Sequence, residues 1–138
     1  MAPCDPSRQK FVVHHSNWLK PEDLYRFIHL DGFTSDWNEL KLKDEDLQTL
    51  QLVIMANPTA GPVVAGTGGV RKLRFSPPSS NKGKRGAMRV LYAIFPDYSV
   101  AVLAAAYSKS VDEDISANEK KLLKRLMVDI ADALEEGC

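Results

Sequence analysis

The 138-residue sequence has only two cysteines, Cys4 and Cys138, placed at its two ends. That spacing excludes a disulfide framework and offers no metal-ligand cluster, so both are read as free thiols without a role. No apolar run approaches the roughly 20 residues a membrane helix needs. The start, MAPCDPSRQK, lacks the apolar stretch of a secretory leader, and the cytoplasm is the expected compartment. There are no internal repeats. The largest gap is in acids: between Asp46 and Asp97 there is neither Asp nor Glu.

That gap is filled with positive charge. Arg71, Lys72, Arg74, Lys82, Lys84, Arg85 and Arg89 all lie inside it, although the chain is formally neutral. Residues 20–46 compensate with eight acids against four bases, and residues 112–136 repeat that ratio. A local positive field inside a neutral molecule attracts polyanions, whereas a merely solvated face usually mixes both signs.

Length and composition fit one domain, with hydrophobic and charged fractions of 44% and 26%. FVVHHS, residues 11–16, is short and β-branched and reads as a first strand. LKPEDLYRFIHLDGF, residues 19–33, reads as a helix: Pro21 suits its first turn, Glu22 and Asp23 its positive end, and Gly32 its stop. Leu24, Phe27 and Ile28 would be its apolar side. DEDLQTLQLVIMANP reads as a second helix, capped by Asp44, with Leu47, Leu50 and Ile54 inward and Asn57-Pro58 as its end.

Three strand patterns follow, over residues 70–75, 88–95 and 99–107, the last two joined by the short Pro96-Asp97-Tyr98 link. The clearest helix closes the sequence, from about 117 to 135. Ser116 and Glu119 make an S-x-x-E capping box, and Leu122, Leu123, Leu126, Met127, Ile130 and Leu134 form its apolar stripe. The expectation is an α+β fold: a small antiparallel sheet of about four strands with N-terminal helices and a C-terminal helix.

The glycine-rich GTGG, residues 66–69, invites a phosphate-loop reading. A phosphate loop hands its anion to a helix N-terminus, and these glycines lead into a strand instead. A tight turn at Gly68 and Gly69 explains them better. Alternation along the strands is more informative. Lys72 and Arg74 share one face, Leu73 and Phe75 the other, and Arg89 points away from Val90, Tyr92 and Ile94. Pairing that brings Arg89 level with Lys72 and Arg74 would converge three cations on one sheet surface. Lys82, Lys84 and Arg85 at the hairpin tip would extend this track along a nucleic-acid backbone. Tyr107 and Lys109 fall in phase where the third strand ends, and Tyr107 suits either base stacking or closure of the core.

Those residues carry a family resemblance. The order NPTAGPVVAGTGGVRKLR, then GKRGAMRVLY, then Tyr107-Ser108-Lys109 and the capped helix, resembles the HigB-like branch of the RelE superfamily of bacterial toxins. The likeness runs over residues 42–138, with 1–41 as a variable N-terminal part of the same single domain. Departures are Ala87 where relatives place a second glycine, and Ser110 where an asparagine is usual. The resemblance implies a type II toxin: a ribosome-dependent, metal-independent mRNA endonuclease without a cofactor. It also implies a HigA-like helix-turn-helix antitoxin, operator DNA bound only through that antitoxin, and no membrane partner. It places Lys72 and Arg74 on paired basic positions of one strand, Arg89 on a phosphate-binding arginine, and Lys109 on a late basic position. Arg71, Lys82, Lys84, Arg85 and Tyr107 become RNA contacts.

Metal-free RNA cleavage requires a deprotonated 2′-hydroxyl, stabilised charge on phosphorus oxygens, and a proton for the leaving 5′-oxygen. Arginine suits the second task because it stays charged and grips phosphate in a fork. A lysine can move protons if neighbouring cations lower its pKa, which fits Lys72. Trp18 and Trp37 flank the first helix as core anchors. His14, His15 and His29 lie outside the motif series and read as structural or exposed. Two other functions remain open: a module that binds RNA or ribosomes without cutting, and an inactive, antitoxin-bound homologue. A gyrase poison of the ParE type ranks last, because such relatives generally lack the dense basic cluster.

Overall fold

The computed structural model describes residues 25–79, 87–108 and 115–136. Their elements are β1 (Arg26–His29), α1 (Asp31–Glu39), α2 (Asp44–Ala56), β2 (Arg71–Phe75), β3 (Met88–Phe95), β4 (Val100–Ser108) and α3 (Ala117–Glu136). They build an α+β fold around one four-stranded sheet of order β1-β4-β3-β2. The expected strand at 11–16 lies outside the described residues, as do Trp18, His14, His15 and both cysteines.

β2, β3 and β4 form the expected antiparallel meander, with β3 and β4 joined through a 3-10 turn at Pro96–Tyr98. The sheet as a whole is mixed, because β1 runs parallel to β4 in the register Arg26↔Val100 to His29↔Leu103. This corrects the helix expected over residues 19–33. Phe27 and Ile28 belong to a strand, and the helix starts at Asp31, near where the expected one stopped. Gly32 is its second residue. Strand β1 is dictated by a partner more than 70 residues downstream, so local helix signals could not reveal it.

Two helical layers sandwich the sheet. On one side α1 and α2 deliver Phe33, Trp37, Leu50 and Ile54 onto Leu73, Phe75, Met88, Val90, Tyr92 and Leu103. Trp37 is 6% exposed and stacks on Phe33 with ring centroids 5.3 Å apart, so it is the core anchor expected of it. On the other side α3 sets Leu123, Met127 and Ile130 over Val70, Leu91, Ala93 and Ala104, and Leu134 over Val100 and Val102.

Helix ends follow elementary hydrogen-bond needs. Ser116 and Glu119 form the capping box: the Glu119 amide donates to Ser116 Oγ at 3.1 Å, and the Ser116 amide donates to Glu119 Oε1 at 3.3 Å. α2 differs from expectation. Asp44 is already helical, and Asp46 accepts the Lys43 amide at 2.9 Å from one turn further in. The α3 stripe is narrower than the sequence suggested, since Leu122 and Leu126 are 66% and 39% exposed.

Candidate functional site

The β2 outer edge is covered by the loop that precedes it. The Val64 amide donates to Val70 O at 2.8 Å, and the Lys72 amide donates to Pro62 O at 3.0 Å. Residues 70, 72 and 74 therefore turn their backbone groups outward, and residues 71, 73 and 75 turn theirs toward β3. Lys72↔Leu91 and Arg74↔Arg89 are consequently the close, non-hydrogen-bonded pairs of the β2–β3 ladder, where Cα atoms approach to about 4.5 Å.

One row crosses three strands. Arg74 on β2 faces Arg89 on β3, and Arg89 faces Tyr107 on β4. Directly opposed residues share a sheet face, so these three side chains emerge together, with Lys72 two residues from Arg74 on the same face. Leu91 and Ala105 make the next row in the α3-side core, and Tyr107 already packs against that core. A shift in register between Leu91 and Tyr92 marks the boundary of the two halves. Arg74 is exposed; Lys72, Arg89 and Tyr107 are half-buried. The structure thus brings together four of the residues singled out from sequence. Lys82, Lys84, Arg85 and Lys109 lie outside the described residues.

Arg71 belongs to a different environment. It pairs with Tyr92, on the face opposite Lys72 and Arg74. Its Nη1 donates to Gly61 O at 2.8 Å and to Thr59 O at 3.3 Å. That guanidinium is engaged in holding the loop. Tyr92, fully buried, pins the same loop: its hydroxyl donates to Pro58 O at 2.8 Å and accepts the Gly61 amide at 3.1 Å. Gly61 crosses so close to β2 that a Cβ there would lie 2.7 Å from Lys72 O. Glycine is required by this close approach.

The pinned loop helps to line an open cavity of about 370 Å³, whose lining is Ala60, Gly61 and Pro62 together with Lys72, Leu73, Arg74 and Arg89. The GTGG segment behaves as a turn: Gly66, Gly68 and Gly69 have φ of 81°, 75° and 110°, and buried Thr67 closes it with Oγ1 donating to Val64 O at 2.6 Å. Among the described residues no three His, Cys, Asp or Glu side chains gather as a metal site, and no helix is long and apolar enough to cross a membrane.

Two carboxylates tie down backbone near the row. Asp36 on α1 accepts the Ala106 amide at 3.0 Å, beside Tyr107 and beyond the reach of β1. Asp46, buried beneath the β2–β3 connection, accepts the Ser79 amide at 2.9 Å and the Ser79 hydroxyl at 2.5 Å. Burial pushes the Asp46 carboxyl up, but the Ser79 and Lys43 hydrogen bonds and the Lys43 charge outweigh it, leaving the pKa lowered. His29, on the exposed end of β1, lies 3.3 Å from Gln51 Nε2, and burial lowers its pKa. It stands outside the cation row.

Sequence reasoning missed Asp36, Asp46 and Tyr92. Asp46 offered a signal, as the last acid before the acid-free stretch and an N3 residue of a helix. Tyr92 offered none beyond its inward phase.

No family model matches the chain. Among solved structures it is similar to the E. coli toxin RelE, an arginine-to-alanine double mutant in the free state. The two are 16% identical, the match covers 75% of this chain and 98% of that one, and the TM-score is 0.49.

Proposed function

We propose that this protein is the toxin of a type II toxin–antitoxin pair of the RelE superfamily, HigB-like, and that it cleaves mRNA on the ribosome. The observation that carries this reading is the row Arg74–Arg89–Tyr107, with Lys72 beside it, on one face of the sheet.

In this scheme Arg74 and Arg89 grip the scissile phosphate and neutralise the charge that builds on its oxygens. The 2′-oxygen, once deprotonated, attacks phosphorus; the bond to the 5′-oxygen breaks, and a proton is delivered to that oxygen. The products are a 2′,3′-cyclic phosphate and a 5′-hydroxyl. Lys72 handles proton transfer, and Tyr107 and Lys109 position the neighbouring nucleotide. The scheme relies on side-chain acids and bases and uses no metal or cofactor. Lys82, Lys84 and Arg85 add backbone contacts that strengthen binding without entering the chemistry.

A HigA-like helix-turn-helix antitoxin is the proposed protein partner, and operator DNA is reached through it. The cytoplasm is the compartment this function requires. The test is induction of the chain in bacteria, followed by mapping of mRNA 5′ ends. Cuts confined to translated frames support the reading, and efficient cutting of naked RNA by the purified protein contradicts its ribosome dependence.

A further inference from the structure

The cavity beside the cation row has a composition that phosphate binding alone does not explain. Three cations would suffice for a phosphate, yet Ala60, Gly61, Pro62 and Leu73 also line this space of about 370 Å³, at the small end of the roughly 300–1,000 Å³ typical of small-ligand sites. The lining is thus part apolar and part cationic. A nucleotide has the matching asymmetry, a flat base with apolar faces at one end and a phosphate at the other.

The polar detail of the site fits the edge of a base. The Lys72 amide is the last on the β2 edge that donates to the loop, through Pro62 O. By strand alternation the Arg74 N–H and C=O point to that same edge, two residues further on. Among the described residues the loop supplies no partner to the Arg74 amide. A donor and an acceptor of fixed geometry stand there at the mouth of the cavity. Arg74 is exposed, and its guanidinium offers a plane on which a base can stack.

The wall is also rigid. Tyr92 and Arg71 hold it from the opposite face of the sheet through four hydrogen bonds to Pro58, Thr59 and Gly61. Gly61 lies against the β2 backbone with no room for a Cβ. A wall fixed before binding avoids the ordering cost that a mobile loop would incur, and a fixed wall discriminates better between bases.

From this geometry we infer that the Ala60–Pro62 wall and the β2 edge at Arg74 form a nucleobase subsite that sets which nucleotide flanks the cut. This inference rests on the proposed RNA cleavage and names a specificity element for it. The base lies on the β2-edge side of the phosphate, and Tyr107 lies on the β4 side. Strand order puts Arg74 and Arg89 between the two. With strands about 4.8 Å apart, Tyr107 and the loop are separated by three strand intervals, enough to splay the two bases flanking one phosphate.

The first test measures binding of the four ribonucleoside 3′,5′-bisphosphates and of the abasic ribose 3,5-bisphosphate to the purified chain. The base should strengthen binding by about tenfold or more for at least one nucleotide. Ala60→Phe, which fills the cavity from an exposed loop position, should remove that gain while leaving abasic binding unchanged. Pro62→Ala, which keeps the carbonyl that Lys72 uses, should reduce the gain and serves as the second variant should the bulkier one misfold. Equal binding of the abasic compound, or a base gain that survives both substitutions, overturns the subsite. The second test maps mRNA ends made by the same variants in cells. The nucleotide preference at one position beside the cut should change several-fold, and an unchanged preference in a variant that still cuts overturns the subsite while leaving the nuclease reading intact. If the wild type makes no cuts but the base gain is present and lost in Ala60→Phe, the nuclease reading fails and the nucleotide site stands.

Discussion

Arg74 and Arg89 sit directly opposite each other on β2 and β3, in a non-hydrogen-bonded pair of one sheet face. Two guanidiniums launched from such close backbone positions repel in the empty protein, and salt screens that repulsion. The melting temperature of the wild type should therefore rise between low and high NaCl. In Arg74→Ala the rise should shrink, and the low-salt melting temperature should equal or exceed the wild-type value. Thermal melts at about 50 and 500 mM NaCl check this. A fall in low-salt stability on removing Arg74 would mean the guanidinium is a structural partner.

Arg71 should behave in the opposite way, although it is a neighbour in sequence. Its guanidinium donates to Gly61 O and Thr59 O, so Arg71→Ala removes charge-assisted hydrogen bonds and frees the loop. The expected loss is about 1–3 kcal/mol, read from urea unfolding midpoints at constant slope. If Arg71→Ala is as stable as wild type but binds RNA much more weakly, Arg71 is an RNA contact after all.

Tyr92→Phe isolates one oxygen. The variant leaves the Gly61 amide and the Pro58 carbonyl without their buried partner, at a cost of about 1–3 kcal/mol. Urea unfolding measures that cost. Phenylalanine fills the same core space, so the loss belongs to the hydroxyl, and an unchanged midpoint would show that the loop holds without it.

Asp46 predicts an acid-sensitive term. Its folded pKa lies below the ordinary 3.8, so its stabilisation is full at neutral pH and above the unfolded value. The term should fade as pH falls from about 5 through 3.8 toward the lower folded value. Asp46→Asn should be less stable at pH 7, and the difference from wild type should narrow over that acid range. Unfolding free energies at several pH values test this, and a constant difference would assign the cost to lost packing instead.

The sequence made some of this legible and hid the rest for identifiable reasons. β3, β4 and α3 carry their own periodicity, so each appeared with nearly its observed boundaries. β1 reads as helix from local signals because its partner, Val100–Leu103, is distant and parallel. Alternation revealed that Lys72 and Arg74 share a face, but only strand pairing shows that Arg74, rather than Lys72, faces Arg89. The same alternation separates Arg71 from that face, although it lies within the same basic run. The loop wall is invisible in the sequence because it depends on the Tyr92 hydroxyl bonding residues some thirty positions earlier.

The most direct measurement is single-turnover cleavage of mRNA on programmed ribosomes by wild type, Arg74→Ala and Arg89→Ala, each paired with its melting temperature. The loss of one oriented donor to a developing phosphorane charge costs on the order of 10²-fold or more in rate. The account predicts that loss in both variants, with the Arg74→Ala melting temperature at or above wild type. Near-normal cleavage in either variant, or a rate that falls only as the protein unfolds, would contradict it and move the active site elsewhere.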